Sequence, residues 1–235
     1  VDVNAPLRLM TENGTHNLIL CDGATLTVSQ VSQYSDKYAK LKVYGQSGGT
    51  GKLNVGNVTV VNAISNCDFA LYGGEVTLTY YSYGHGINKN VDFNGGKLTA
   101  TSGENGIGGN TTINATSGWI KASKYGGSVT IADGKYMKDE TGRCYKGTLT
   151  DAEKAAVAGK TLQPATQTEY ISYIFGGGNG SQNSPYLIGS TESWNYFCET
   201  LEGGDTWNHF SGKYVKLGAD ISRSEERRVG KECRS

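Results

Sequence analysis

The chain has 235 residues, with 22 basic and 22 acidic side chains and a formal net charge of zero. That balance offers no electrostatic footprint for nucleic acid or an anionic membrane surface, and no apolar run is long enough to cross a bilayer. Glycine, at 34 against three prolines, is far above ordinary usage; it falls singly or in pairs between runs rich in Val, Leu, Ile, Thr and Tyr, the layout of strands separated by tight turns.

Residues 1 to about 127 read as successive rungs. Leu18-Ile-Leu20, Asp22-Gly23 and Leu26-Thr-Val28 form an early one. Leu41-Lys-Val43, Gly45, an insertion at Ser47-Gly-Gly-Thr-Gly51 and Leu53-Asn-Val55 form the next. Three regular copies follow: Phe69-Ala-Leu-Tyr-Gly-Gly-Glu-Val76-Thr-Leu78, Val91-Asp-Phe-Asn-Gly-Gly-Lys-Leu98-Thr-Ala100 and Ile113-Asn-Ala-Thr-Ser-Gly-Trp-Ile120-Lys-Ala122. Val76, Leu98 and Ile120 are 22 residues apart. A fixed period of this length marks a solenoid, whose repeats bury their apolar sides against their neighbours. Side chains alternate along a strand, so Val76, Leu78, Leu98, Ala100, Ile120 and Ala122 point inward and stack. Glu75, Lys97 and Trp119 form one outward column. The Gly-Gly pairs mark the turns between faces. A β-sandwich is the competing architecture, but antiparallel sandwiches rarely keep identical offsets through consecutive strand pairs. Tyr80–Ile87 and Thr101–Gly109 read as variable loops on one edge, where a solenoid places a binding face.

From Ser128 the pattern changes. Val129-Thr-Ile131 is a further strand. Thr150-Asp-Ala-Glu153 reads as a capping box opening a short helix, Asp151 to Ala158, stopped by Gly159. Residues 135–164 are therefore expected to cover the exposed last rung. Residues 166–182, containing Gly176-Gly-Gly-Asn-Gly180, read as a flexible linker. Ser190 then caps a helix with Trp194, Phe197, Cys198 and Leu201 on one face, ended by Gly203-Gly204, and Tyr214-Val-Lys-Leu217 reads as a strand. The expected organisation is thus a solenoid with its cap at 1–165, a linker at 166–182, and the truncated α+β start of a second domain at 183–222. The aromatic stripe of that fragment is expected to be more exposed than usual.

Residues 223–235, Arg-Ser-Glu-Glu-Arg-Arg-Val-Gly-Lys-Glu-Cys-Arg-Ser, resemble the translation of a common sequencing adapter and are set aside as non-native. Val1 is not Met, and both ends read as open, as in a gene fragment. Without the tail's five basic and three acidic residues the chain has 17 basic and 19 acidic side chains.

Asn17-Leu-Ile-Leu-Cys-Asp-Gly-Ala-Thr-Leu-Thr-Val28, Tyr44-Gly-Gln-Ser-Gly-Gly-Thr-Gly-Lys-Leu53, Asn94-Gly-Gly-Lys-Leu-Thr-Ala-Thr101 and Gly106-Ile-Gly-Gly109 are similar to the β-helix repeats of large adhesin-like surface proteins of anaerobic gut bacteria. Leu149–Leu162 resembles the ending of those regions. Ser184-Pro-Tyr-Leu-Ile188 with Phe210–Ile221 resembles the opening of GLUG-type repeat domains. The resemblance spans most of residues 15–221. It implies an all-β, right-handed parallel β-helix, secreted or held at the bacterial cell surface. Its motifs are structural and carry no catalytic residues. Gly84-His-Gly-Ile87 is a degenerate copy of the Gly-Ile-Gly-Gly turn.

No enzymatic constellation stands out. His16, His85 and His209 are far apart, and no metal or cofactor set is expected. Asp22, Asp68 and Asp92 lie near rung turns and are weighed as calcium ligands against ordinary turn-stabilising aspartates. A polysaccharide-degrading site would have to draw on Glu75, Lys97 and Lys121. Cys21, Cys67, Cys144 and Cys198 are scattered; one disulfide among them is left open. Tyr80, Tyr81, Tyr83 and Trp119 are the carbohydrate-binding candidates, because aromatic faces pack on sugar rings; Tyr80 equally continues the inward ladder after Leu78. Two functions follow: a non-enzymatic spacer or adhesive scaffold, or a carbohydrate-binding module that meets an extracellular glycan or host surface. Deleting residues 223–235 is expected to leave the melting temperature unchanged in a thermal melt; a clear loss of stability would make the tail part of the protein.

Overall fold

The computed structural model describes residues 2–3, 5–10, 14–33, 39–56, 61–80, 83–202 and 210–219. The chain divides into two compact units, Val1–Gln167 and Thr168–Ser235. The first is a parallel β-solenoid with three faces. Face 1 stacks Leu7–Leu9, Val31–Gln33, Ile64–Ser65, His85–Ile87 and Asn105–Ile107. Face 2 stacks Thr15–Leu20, Ala39–Gly45, Cys67–Leu71, Val91–Phe93, Thr111–Ile113 and Val129–Ile131. Face 3 stacks Asp2–Val3, Thr25–Val28, Lys52–Val55, Glu75–Thr79, Lys97–Thr101 and Trp119–Ala122. Each turn of chain contributes one strand to each face, and these stacked pairs are all parallel.

The inward ladder is as the sequence implies. Leu98 pairs with Val76 on one side and Ile120 on the other. Val76, Leu78, Leu98, Ala100, Ile120 and Ala122 are fully buried. Leu41, Phe69, Phe93, Ile113 and Ile131 fill the core from face 2, and Ile64, Ile87 and Ile107 from face 1. Burying each large aliphatic contributes roughly 1.5–3 kcal/mol. The outward column is also in register: Glu75 pairs with Lys97, and Lys97 with Trp119.

Two expectations are corrected. First, the supposed variable loops contain strands, His85–Ile87 and Asn105–Ile107, so a turn has three sides. Three residues are too few to display an alternation, which hid them. Second, only face 3 repeats the 22-residue step, from Val76 to Leu98 and from Leu98 to Ile120. On face 2 Phe69 pairs with Val91 22 residues on, Val91 with Thr111 after 20, and Thr111 with Val129 after 18. Ile113 therefore stacks on Phe93 rather than on Val91. The turn shortens in steps of two, and a shift of two keeps every side chain on its own side of the sheet.

The corner between faces 2 and 3 is built from glycine. Gly74, Gly96 and Gly118 have φ of +80°, +80° and +84°. A Cβ on Gly96 would lie 2.7 Å from the Gly74 carbonyl oxygen, and one on Gly118 would collide with the Gly96 carbonyl oxygen. The corner between faces 1 and 2 also packs glycine backbone closely, at Gly109 and Gly127, and adds side-chain bonds. The Asn90 amide N–H donates to Asp68 Oδ1 at 3.2 Å, that of Asn110 to Asn90 Oδ1 at 3.0 Å, and that of Ser128 to Asn110 Oδ1 at 3.0 Å. Each rung thus satisfies a corner donor of the next.

The last turn is covered as expected. Thr161–Ala165 runs antiparallel to Trp119–Ala122, so Leu162 meets Ile120. Tyr136–Asp139 and Cys144–Tyr145 extend this sheet, also antiparallel. Helix α1, Asp151–Val157, has its capping box formed by Thr150 and Glu153. The Leu149 N–H donates to the Val129 carbonyl and the Ile131 N–H to that of Gly147. Met137, Tyr145, Leu149, Val157 and Leu162 close the core.

The linker expected over 166–182 is also corrected. Helix α2, Gln167–Ile174, occupies its first half, with Tyr170, Ile171 and Ile174 buried. Ile171 and Phe175 join Tyr186 and Ile188 in the core of the second unit; the glycine run follows this helix and drew the eye past it. Tyr186–Ile188 pairs parallel with Val215–Leu217. Helix α3, Thr191–Glu202, is capped by Ser190, whose Oγ accepts from the Ser193 N–H at 3.1 Å. Its Trp194 and Phe197 are half-buried against that core, while Leu201 is 42% exposed. The helix end at Gly203-Gly204 and the tail at 223–235 lie outside the described residues. Gly118→Ala is expected to destabilise the solenoid by more than about 2 kcal/mol, since it combines a left-handed backbone with a backbone clash. Urea unfolding beside the open-space control Gly142→Ala, which carries only the φ penalty, measures the difference.

Candidate functional site

The sequence-designated aromatics do not gather into one platform. Tyr80 follows Leu78 on the inward parity and is 5% exposed, so its ring belongs to the interior and not to a binding surface. Tyr81 lies outside the described residues. Tyr83 is 93% exposed ahead of His85–Ile87, on face 1. Trp119 is half-buried in the outward column of face 3.

Sequence reasoning passed over a second aromatic pair. Tyr44 and Tyr72 stack with ring centroids 4.8 Å apart and planes 11° from parallel. Their separation equals the strand spacing, so the rings turn their faces to each other along the stack. Each immediately precedes a corner glycine, Gly45 or Gly73, and that shared offset was the available signal.

The ionisable candidates are held in cross-rung contacts. Asp22 accepts from the Gly48 N–H at 2.9 Å and the Thr50 N–H at 3.1 Å, which closes the 47–51 insertion. These backbone bonds, that of Thr50 foremost, hold its carboxyl below the usual value. Asp68 belongs to the corner ladder. Asp92 accepts from Lys40, two rungs away, and that bond raises the Lys40 ammonium pKa. Glu75 lies 3.5 Å from Lys52, with Lys97 on its other side and Lys121 in the next column beside Thr99. Among the described residues no three His, Cys, Asp or Glu side chains converge as metal ligands.

His85 has two polar neighbours. Its Nδ1 is 3.3 Å from Asn105 Nδ2 and its Nε2 is 3.9 Å from Glu104 Oε2. Its ring fills the space a Cβ on Gly108 would need. His16 is half-buried opposite Leu41, and His209 lies outside the described residues. Cys21, Cys67, Cys144 and Cys198 are unbridged. Burial pushes the Cys67 thiol up to about 12, which keeps it protonated and unreactive at neutral pH.

Asp139, in the cap, has the densest polar environment among these groups. Its side chain is fully buried. Oδ1 accepts from the Thr141 N–H at 2.9 Å, the Thr141 hydroxyl at 2.6 Å and the Arg143 N–H at 3.1 Å. Oδ2 accepts from the Tyr145 hydroxyl at 3.0 Å and from Lys160 Nζ at 3.4 Å. Desolvation raises this carboxyl, but the bonds from Thr141, Tyr145 and Arg143 outweigh it and leave the group below its ordinary 3.8. This arrangement braces the 139–145 turn.

No protein-family model, curated protein or solved structure matches the chain.

A carboxyl depressed by folding stabilises the fold above its unfolded-state pKa, and that contribution is lost as pH falls through the folded-state value. Asp139→Asn is therefore expected to lower stability by about 2–3 kcal/mol at pH 7. Thermal melts of parent and variant should converge as pH drops below 3.8. A constant gap down to pH 2 would contradict the assignment.

Proposed function

We propose that this chain is part of a non-enzymatic secreted or cell-surface protein, in which the solenoid acts as a rigid spacer or adhesive scaffold. The observation that carries this reading is the continuity of its cross-rung bonding. The inward ladder is unbroken from Leu26 through Leu53, Val76, Leu98 and Ile120 to Leu162 in the cap. The corner between faces 1 and 2 carries a parallel ladder of amides, and Lys40 ties itself to Asp92 across an intervening rung. A stack whose repeats are cross-linked in several columns resists bending and extends by one strand spacing per turn. The extracellular setting rests on the resemblance of the repeats to adhesin-like surface proteins. Asp22, Asp68, Asp92 and Glu75 are engaged in contacts between rungs, which favours a scaffold over a hydrolase or lyase.

The test removes one turn. Deleting residues 76–97 joins Glu75 to Leu98 and preserves both the column and the parity of face 3. The shortened chain is expected to unfold cooperatively, at lower stability, because solenoid stability is close to a sum over neighbouring repeats. Displayed on a cell with an epitope beyond residue 219, it should bring the epitope nearer the membrane by about 5 Å, read by energy transfer to a membrane dye. Collapse of the whole fold, or an unchanged standoff, would overturn the spacer reading. Release of new reducing or unsaturated sugar ends from polysaccharide by the full chain would overturn the non-enzymatic one.

A further inference from the structure

The corner between faces 2 and 3 changes at the last two turns. Residues 94–96 suffice to pass from Phe93 to Lys97, whereas 114–118 are used between Ile113 and Trp119. In this longer corner Ala115 stays in the core, and Thr116 and Ser117 form an exposed bulge. The next turn leaves face 2 at Ile131 and enters the antiparallel strand Tyr136–Asp139, which pairs with Thr161–Ala165. A cleft of about 350 Å³ opens between the bulge, the 134–136 corner and the end of that second strand.

Its lining has a definite chemistry. Tyr136 and Pro164 supply flat apolar surface, both half-buried, joined by small residues. Thr116, Thr166 and Gln167 add hydroxyls and an amide, and Lys135 is the single charged side chain in the lining. The Tyr136 side chain hydrogen-bonds to Gln167, which orients both groups at the wall. The volume falls in the range of small-molecule sites, and an apolar floor with a few placed polar groups is their usual make-up. A ring with one CH-rich face and hydroxyls around its edge matches that lining, because tyrosine packs on such a face and retains a polar handle. The lone ammonium adds a preference for negative charge.

We infer that this cleft binds an acidic pyranose, a sugar ring bearing a carboxylate. Tyr136 and Pro164 pack on the ring, Lys135 pairs with the carboxylate, and Thr116, Thr166 and Gln167 hydrogen-bond to hydroxyls. The site is formed by the cap and the widened corner, apart from the loop aromatics designated in the sequence. It gives the scaffold one built contact for a glycan, and it stands or falls independently of the spacer reading.

The full chain is titrated with the methyl glycosides of glucuronic, galacturonic and N-acetylneuraminic acids, with methyl glucoside as the neutral comparison, using saturation-transfer NMR. At least one acidic glycoside is expected to receive transfer, more strongly than the neutral one. Lys135→Gln should weaken that binding roughly fivefold, the effect of an exposed ion pair. Tyr136→Ala should abolish it. Thr116→Trp, which fills the cleft from an exposed loop, should abolish it too while leaving the melting temperature unchanged, so that a folding defect in Tyr136→Ala cannot carry the result. Absence of transfer from all three acidic glycosides overturns the proposal. So does transfer that survives Thr116→Trp, or that is equal for the neutral glycoside and insensitive to Lys135→Gln.

Discussion

In a parallel stack every inward side chain must lie one strand spacing above its counterpart, about 4.8 Å, and must keep its parity while the chain travels around three faces. Everything else in the first unit answers to this demand. The rungs differ in length from one another, yet Leu53, Val76, Leu98 and Ile120 remain in one column. Length is adjusted at corners and insertions, where the 47–51 loop is tied down by Asp22 and the 114–118 corner leaves Thr116 and Ser117 exposed while Ala115 stays in the core. The corners themselves are solved in two ways. One relies on glycines whose backbones approach so closely that a Cβ has no room; the other adds Asp and Asn side chains that replace water for the amide of the rung above. The first is permissive in conformation and the second specific in bonding, and together they fix the register.

A parallel stack also leaves an open edge, and the cap shows what closing it requires. An antiparallel strand seals face 3 at Ile120, the 147–149 segment seals face 2 at Val129 and Ile131, and the buried Asp139 braces the 139–145 turn between them. This end therefore departs from the repeat, and the same departure produces the cleft beside Tyr136. In the proposed reading the regular turns supply reach and stiffness, while contact with a sugar is confined to the place where regularity ends.

Much of this was legible in the residues because burial alternates with a period of two. Val76-Thr-Leu78 and Leu98-Thr-Ala100 announced both their inward face and their partners, and Thr150 with Glu153 announced the capping helix. The third face was not legible. Its strands are two or three residues long and contain Gly86 and Gly106, which carry no side chain to display a pattern. The two-residue slips on face 2 were hidden because a slip of two preserves the alternation that was being read. Helix α2 was obscured by the glycines that follow it. Of the designated aromatics, Tyr80 was ambiguous in principle, since one ring at the end of a strand satisfies an inward ladder as well as an outward platform. Tyr136 gave no signal of its own, because its partners in the cleft come from 116, 164 and 167 and are brought together only by the cap.

The most direct measurement of the central claim is a methyl and aromatic nuclear Overhauser spectrum of the full chain, with assignments for Val76, Leu98, Ile120, Val91, Phe93 and Ile113. The stack requires strong contacts from Leu98 to both Val76 and Ile120, and from Ile113 to the Phe93 ring in preference to Val91. Contacts from Leu98 to only one of its two neighbours, or an Ile113 that meets Val91 and not Phe93, would contradict the register on which the whole account rests.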